Sequence, residues 1–452
     1  GVVFTGSTEV ARIINRTLAE RGGEPVLIAE TGGQNALIVD STALTEQVVG
    51  DVLASAFDSA GQRCSALRVL YLQEDIAERT IAMLKGGMDE LRVGNPADLA
   101  TDIGPIIDAE ARGGLLAHLE RLRPVARWWH QAKLPAATSG TFVAPTMLEI
   151  GHIEQLTREV FGPVLHVLRY PADGLGEVIE QINGTGYGLT HGIHTRIDEK
   201  VEADLRGISA GNLYVNRNIV GAVVGVQPFG GHGKSGTGPK AGGPLYLHRL
   251  VRSDTPPELH GETVPVAFDA LKALQAALPL LHELTPAQRG RLQTRIRFYQ
   301  AASPLAVRLQ LPGPTGEDNS LWFEPRGTLA CHAETLLHLL EQLAAAWATK
   351  NRALVPDTDL GRRVLRAIDH PDIAFAQDLV GADIEGLLFA GPAEVAHGLR
   401  LGLAQRQDTI VPLIPARADG GYNLHRLVVE KVASINTTAA GGNAALMSLD
   451  GG

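Results

Sequence analysis

Gly1-Val-Val-Phe-Thr-Gly-Ser-Thr-Glu-Val-Ala11 decides how the rest of the chain is read. A short apolar run meets a Gly6-Ser7 turn, and a helical-period run, EVARIINRTLAERG (9–22), follows. Such a strand–turn–helix unit gathers backbone N–H groups and the positive end of a helix dipole at one point, which suits a pyrophosphate. The G-x-G-x-x-G pattern is missing. Further along, strand-like PVLIAE (25–30), NALIVD (35–40) and RVLYLQ (68–73) alternate with a helical run, VVGDVLASAF (48–57). PTMLEI (145–150), EVFGPVLHVLRY (159–170), GEVIEQIN (176–183), GIHT (192–195) and GNLYVN (211–216) continue the mixture after an irregular stretch at 124–145. This is an α/β rhythm, and it implies a mostly parallel sheet.

The opening segment returns. Gly386-Leu-Leu-Phe-Ala-Gly-Pro-Ala-Glu-Val-Ala396 repeats it at a constant offset of 385, and the register holds through Leu18 and Leu403, Arg21 and Arg406, and Val26 and Val411. Amphipathic patterning alone does not require identity at Phe, Gly, Glu, Val and Ala, so residues 386–415 read as a second copy of the fold. The same offset sets Pro415 opposite Glu30, and nothing in the second copy corresponds to Cys64. The second copy has the fold without the chemistry.

Composition narrows the class. With 452 residues, two or three domains are expected. The proline-marked DTPPEL (254–259) and the long helical run LKALQAALPLLHELTPAQRGRLQTRIRFYQ (271–300) place a boundary between 252 and 265. A net charge of −10 and 5% aromatic residues offer a nucleic acid neither a basic surface nor stacking platforms. Two unpaired cysteines fit a reducing, cytoplasmic setting, and no apolar run approaches the roughly 20 residues that span a bilayer. The 15 histidines form no ligand grouping, so no metal is expected. Because the chain starts on a buried-strand pattern, it reads as part of a longer protein.

Cys64 lies in GQRCSALR, shortly after Glu30 in AETGGQ. A thiol able to attack a carbonyl and a carboxylate able to activate water make a two-step acyl-transfer pair. Arg63 lies beside the thiol, and a neighbouring cation lowers a thiol pKa from its free value of roughly 8.5. Glu30 closes an apolar strand, where partial burial would raise its carboxyl toward neutrality. Two glycines after it allow a ligand close approach. Cys331, in RGTLACHAETLLHLL (326–340), fits an inert core position at a helix start.

VVFTGSTEVA, AETGGQNALIVD, GQRCSALRV, REVFGPVL and QPFGGHGKSGTG, in that order, resemble the aldehyde dehydrogenase superfamily. ETGGQNA and SGTGPKAGGPLYL are similar to its L-glutamate-γ-semialdehyde (Δ1-pyrroline-5-carboxylate) dehydrogenase branch. INTTAAGGNAALMSL (435–449) resembles the closing motif of long forms of the PutA family of bifunctional proline-catabolic flavoenzymes. The resemblance implies an aldehyde dehydrogenase-like α/β fold, with part of a Rossmann-type cofactor domain and a catalytic domain in 1–252. A helical connection (253–319), a degenerate second Rossmann-like domain (320–433) and a tail (434–452) would follow. It implies Cys64 as nucleophile and Glu30 as base. Gly6, Ser7, Val10, Thr31, Gly32, Glu159 and Phe161 would hold NAD, and Arg63, Ser65, Gly242 and Gly243 the substrate. An Asn donor to the oxyanion, and an FAD-bearing proline dehydrogenase domain, would lie upstream of Gly1, as would any peripheral membrane contact. The second copy and the tail would dock, assemble a homo-oligomer or cover a substrate tunnel. Two other readings stay open at this point: a different aldehyde substrate, or a non-catalytic assembly module.

Overall fold

The computed structural model describes residues 1–135, 140–251 and 257–438. The tail assigned to residues 434–452 therefore lies outside the described residues from 439 onward. The chain packs as two compact units. One comprises Gly1–Glu30, Gly236–Gln310 and Ser320–Lys431; the other comprises Thr31–Ser235, Leu311–Asn319 and the residues from Val432 on.

In the second unit the strands lie in the order Val428–Asn436 (through its end, Val432–Ile435), Asn212–Val215, Thr190–His194, Ala36–Val39, Val69–Gln73, Val164–Tyr170, Thr146–Glu149 and Trp129–Gln131. Every neighbouring pair is parallel except the last, which is antiparallel. Ala36–Val39 and Val69–Gln73 are buried at every position. Strands covered on both faces lose their polar alternation, which is why the sequence shows them as unbroken apolar runs.

In the first unit, Val2–Thr5 pairs in parallel with Leu27–Glu30. Ser7 caps the intervening helix, Thr8–Arg21, its hydroxyl accepting the Val10 N–H, and the helix ends at Gly22 with φ +76°. A separate parallel sheet, five strands wide among the described residues, runs Ile373–Ala376, Arg352–Pro356, Thr328–Ala333, Gly386–Ala390, Leu413–Pro415. Numbered along the chain this is 3-2-1-4-5, the order of doubly wound nucleotide-binding sheets. Its Leu336–Ala348 helix is apolar on nearly all faces because it is covered on both sides: the sheet lies on one and the helices Asp269–Ala277 and Pro286–Ala301 on the other.

Three sequence expectations change here. The run 271–300 is two helices, divided by a tight turn at Leu278–Leu280, since Pro279 and Pro286 each favour a helix start over its interior. Cys331 sits within the strand Thr328–Ala333, fully buried, and burial pushes its thiol well up. The partner of Glu30 in the second copy is Ala416, not Pro415. Phe4 stands opposite Ala29, whereas Phe389 stands opposite Pro415, so the returning strand has slipped by one residue.

The helices of the two copies, Thr8–Arg21 and Ala393–Ala404, pack on each other. Arg12 donates to the Gln407 carbonyl, and the His397 ring lies 3.8 Å from where a Gly22 Cβ would be. At the repeat offset 12 corresponds to 397 and 22 to 407, so the contact is close to self-complementary. Ala11 and Ala396, equivalent and buried, each pack with the strands of their own copy.

Candidate active site

Cys64 follows a turn in which Ser59, Ala60 and Gly61 all have positive φ (56°, 53° and 63°). Two non-glycine residues in that region each cost on the order of 1 kcal/mol, so the surroundings must impose the shape. Gln62 does part of this: its amide donates to the Pro105 carbonyl at 3.0 Å and accepts the Ile107 N–H at 2.9 Å. Two residues absent from the sequence reading do more.

Arg68 is fully buried. Its guanidinium donates to the Gly61 carbonyl at 2.6 Å, to the Arg63 carbonyl at 2.9 Å and to Glu159 Oε1 at 3.2 Å, and lies 5.2 Å from the centre of the Phe161 ring. One side chain thus ties the thiol turn to both residues of the EVF motif. Burial draws this guanidinium below its ordinary range, and the nearby Glu159 and Cys64 oppose that. Asn35, also buried, donates to the Cys64 carbonyl at 2.7 Å and the Ala66 carbonyl at 2.9 Å, and accepts the Thr190 N–H at 3.2 Å.

The two glycines of ETGGQN acquire a specific meaning. A Cβ on Gly32 would lie 1.6 Å from Glu159 Oε2, and one on Gly33 would lie 2.2 Å from Asn35 Oδ1. Their bareness makes room for protein side chains: the Glu159 carboxylate rests on one and the Asn35 amide on the other. Gln34 donates to the carbonyls of Leu156 and Arg158, at 3.3 and 3.4 Å, and so fixes the approach to Glu159. Thr31 binds the late glycine-rich segment, its N–H to the Ser235 carbonyl and its hydroxyl to the Lys234 carbonyl at 2.7 Å.

Of the other expected residues in this unit, Arg63 is exposed and donates to the Ser59 hydroxyl at 2.9 Å, and the buried Arg68 guanidinium also interacts electrostatically with Cys64. Ser65 is buried and its carbonyl accepts from the Thr190 hydroxyl at 3.2 Å. Phe161 keeps 44% of its surface exposed, an uncovered aromatic face beside a carboxylate. Tyr214, buried in the same unit, interacts electrostatically with Cys64, and burial pushes its phenol up.

The first unit holds Glu30, Gly6, Ser7, Val10, Gly242 and Gly243. The Glu30 carbonyl accepts the Gly6 N–H at 3.1 Å, and Glu30 bridges Gly236. Thr237 continues that seam: its N–H donates to the Ala29 carbonyl and its hydroxyl oxygen accepts the Ala29 N–H. Ser7 and Val10 are exposed at the start of their helix. Gly242 has φ +72°, which glycine adopts without strain. Among the described residues no group of three or more His, Cys, Asp or Glu side chains could hold a metal ion, and no helix is long and apolar enough to cross a membrane.

The chain is 48% identical to the bifunctional protein PutA of Escherichia coli (strain K12), over 99% of this chain and 36% of that protein. It is 35% identical to the 1-pyrroline-5-carboxylate dehydrogenase of Geobacillus kaustophilus (strain HTA426), over 57% of this chain and 51% of that one. The solved structure of proline utilization A (PutA) from Corynebacterium freiburgense matches it with a TM-score of 0.70 at 25% identity, across 96% of this chain and 41% of that one. This chain therefore spans about a third of the length of the PutA protein it resembles. Residues 1–255 match the aldehyde dehydrogenase family, and with the α/β fold described above the chain belongs to that family.

Proposed function

We propose that this chain carries the NAD-dependent oxidation of L-glutamate γ-semialdehyde to L-glutamate within a bifunctional proline-catabolic protein. The observation that carries the reading is the Arg68 clamp, which binds the thiol turn and the Glu159–Phe161 pair into one structure. A thiol acting on an aldehyde needs a hydride acceptor held beside it, and a carboxylate next to an exposed aromatic ring suits the ribose hydroxyls and nicotinamide of NAD. When bound, NAD supplies the hydride acceptor.

Cys64, as thiolate, adds to the aldehyde carbon, and the carbonyl oxygen takes the negative charge. Backbone N–H groups of the Cys64 turn, held by Asn35 and Arg68, are the donors this chain offers that oxyanion. Loss of hydride leaves a thioester on Cys64. Glu30 takes a proton from water as the water adds to the thioester, and collapse releases the carboxylic acid and returns the thiolate. Ser65 and the Gly242-Gly243 loop serve the α-carboxylate of the substrate. Gly6, Ser7 and Val10 serve the distal part of the cofactor, as a helix N-terminus can. An FAD-dependent proline dehydrogenase upstream would supply the semialdehyde, and assembly as a homo-oligomer in the cytoplasm fits the same family.

NADH formation with glutamate semialdehyde, followed by absorbance on this chain and on a version extended at its amino terminus to the length of its relatives, tests the reading. Turnover that Cys64→Ala abolishes, with NAD affinity within about twofold of the parent, is the expected result. Loss of NAD binding in the same variant would make Cys64 a structural residue. Absence of turnover in both folded forms would sink the assignment.

A further inference from the structure

The loop assigned above to the substrate α-carboxylate is held from below by a residue far away in sequence. Lys240, at its start, is 2% exposed, and its backbone N–H donates to Glu430 Oε2 at 2.7 Å. Glu430 belongs to the strand Val428–Asn436 and is itself 7% exposed. Its other oxygen lies under Gly243, where a Cβ would come within 2.9 Å of Oε1 and 3.0 Å of the Lys240 carbonyl. The Gly243 N–H closes the turn on that same carbonyl at 3.0 Å. Thus the carboxylate fixes the first residue of the turn and fits the space left by the missing side chain of the last.

Charge is balanced locally. Burial pushes the Glu430 carboxyl up and the Lys240 ammonium down, and their mutual attraction opposes both shifts; Glu30 also attracts Lys240. On its other side the loop is continuous with Gly236–Thr237, which is zipped to the strand ending in Glu30. A buried acid here is costly unless it is paired and hydrogen-bonded, so its place under a glycine turn calls for a reason.

We infer that Glu430 is a positioning residue for substrate selection: by fixing the Lys240–Gly243 turn it sets that loop to receive the α-carboxylate of an amino-acid semialdehyde. The inference rests on the function proposed above. It assigns part of the specificity to a strand outside the residues that match the dehydrogenase family.

The test compares two aldehydes, glutamate semialdehyde and propanal, which has no α-carboxylate, in the full-length protein. Glu430→Ala is expected to raise KM for the semialdehyde roughly ten- to a hundredfold, the loss of one charge-assisted hydrogen bond, with kcat and NAD affinity within about twofold. kcat/KM for propanal should stay unchanged. Glu430→Gln, which keeps an oxygen for the Lys240 N–H, should recover most of the loss. Glu430→Asp, which keeps the buried charge but falls short of the turn, should reproduce the alanine defect and decides the matter if the alanine variant does not fold. Equal losses on both aldehydes, or an unchanged KM, overturn the inference alone. A parent protein that shows no preference for the semialdehyde overturns the proposed function and this inference with it.

Discussion

Val2–Thr5 and Gly386–Ala390 are each a parallel strand that turns through a glycine into a helix, and each turn glycine lies under a phenylalanine. A Cβ would meet Phe4 Cζ at 2.4 Å on Gly6 and Phe389 Cζ at 2.9 Å on Gly391. Beyond that shared joint the two segments part. The first helix is capped by Ser7; the second begins at Pro392, with no side-chain cap. The first returning strand ends in Glu30; at the matching position the second has Ala416. The first outgoing strand alternates between half-buried and exposed, whereas the second is buried throughout, flanked by a strand on each side. One copy carries polar side chains, Ser7 and Glu30, where the other carries Pro392 and Ala416.

The sharpest way to break this contrast is at the carboxylate. Glu30→Gln should slow steady turnover roughly a hundred- to ten-thousandfold while leaving a first burst of NADH, because only deacylation loses its base. Ala416→Glu should leave turnover unchanged. A Glu30→Gln protein with normal steady turnover would put both copies in the same structural role. Next in size is the core. Leu388→Ala should cost about 2–5 kcal/mol in a denaturant melt, and Val3→Ala, its equivalent at 57% exposure, under about 0.5 kcal/mol. Similar losses at the two sites would mean that the first strand is as tightly packed as the second. The cap comes after the core: Ser7→Ala should cost about 1 kcal/mol by the same measurement, and Pro392→Ser should gain less than that.

The sequence made some of this plain for physical reasons. Buried parallel strands write themselves as apolar runs, so VLIAE, ALIV and VLYLQ could be placed, and the Gly-Ser turn marked the helix that follows it. Paired positions were harder. The offset of 385 holds through the helices, but one added residue before the second returning strand moved the partner of Glu30, and strand register has no signature in a continuous apolar run. Thr328–Ala333 shows no alternation for the same reason, so the sequence around Cys331 does not distinguish a strand from a helix start. The site showed a similar division. Cys64 and Glu159 stand in recognisable motifs, whereas Arg68 and Asn35 act through backbone carbonyls, which carry no mark in the sequence. Asn35 did leave a trace, a polar amide opening an otherwise apolar strand, where burial demands partners. Arg68 left less, since an arginine before a strand usually reaches solvent.

The paired helices Thr8–Arg21 and Ala393–Ala404 have one more consequence. Two surfaces that meet in a nearly self-complementary way usually belong to separate molecules, and their union then obeys mass action and fades on dilution. Here the covalent chain joins them, so the local concentration of one helix around the other is fixed by the tether and is the same in a test tube as in a crowded cell. Weakening the contact at Arg12 or His397 should therefore show itself as looser folding at every protein concentration, never as a change in stoichiometry.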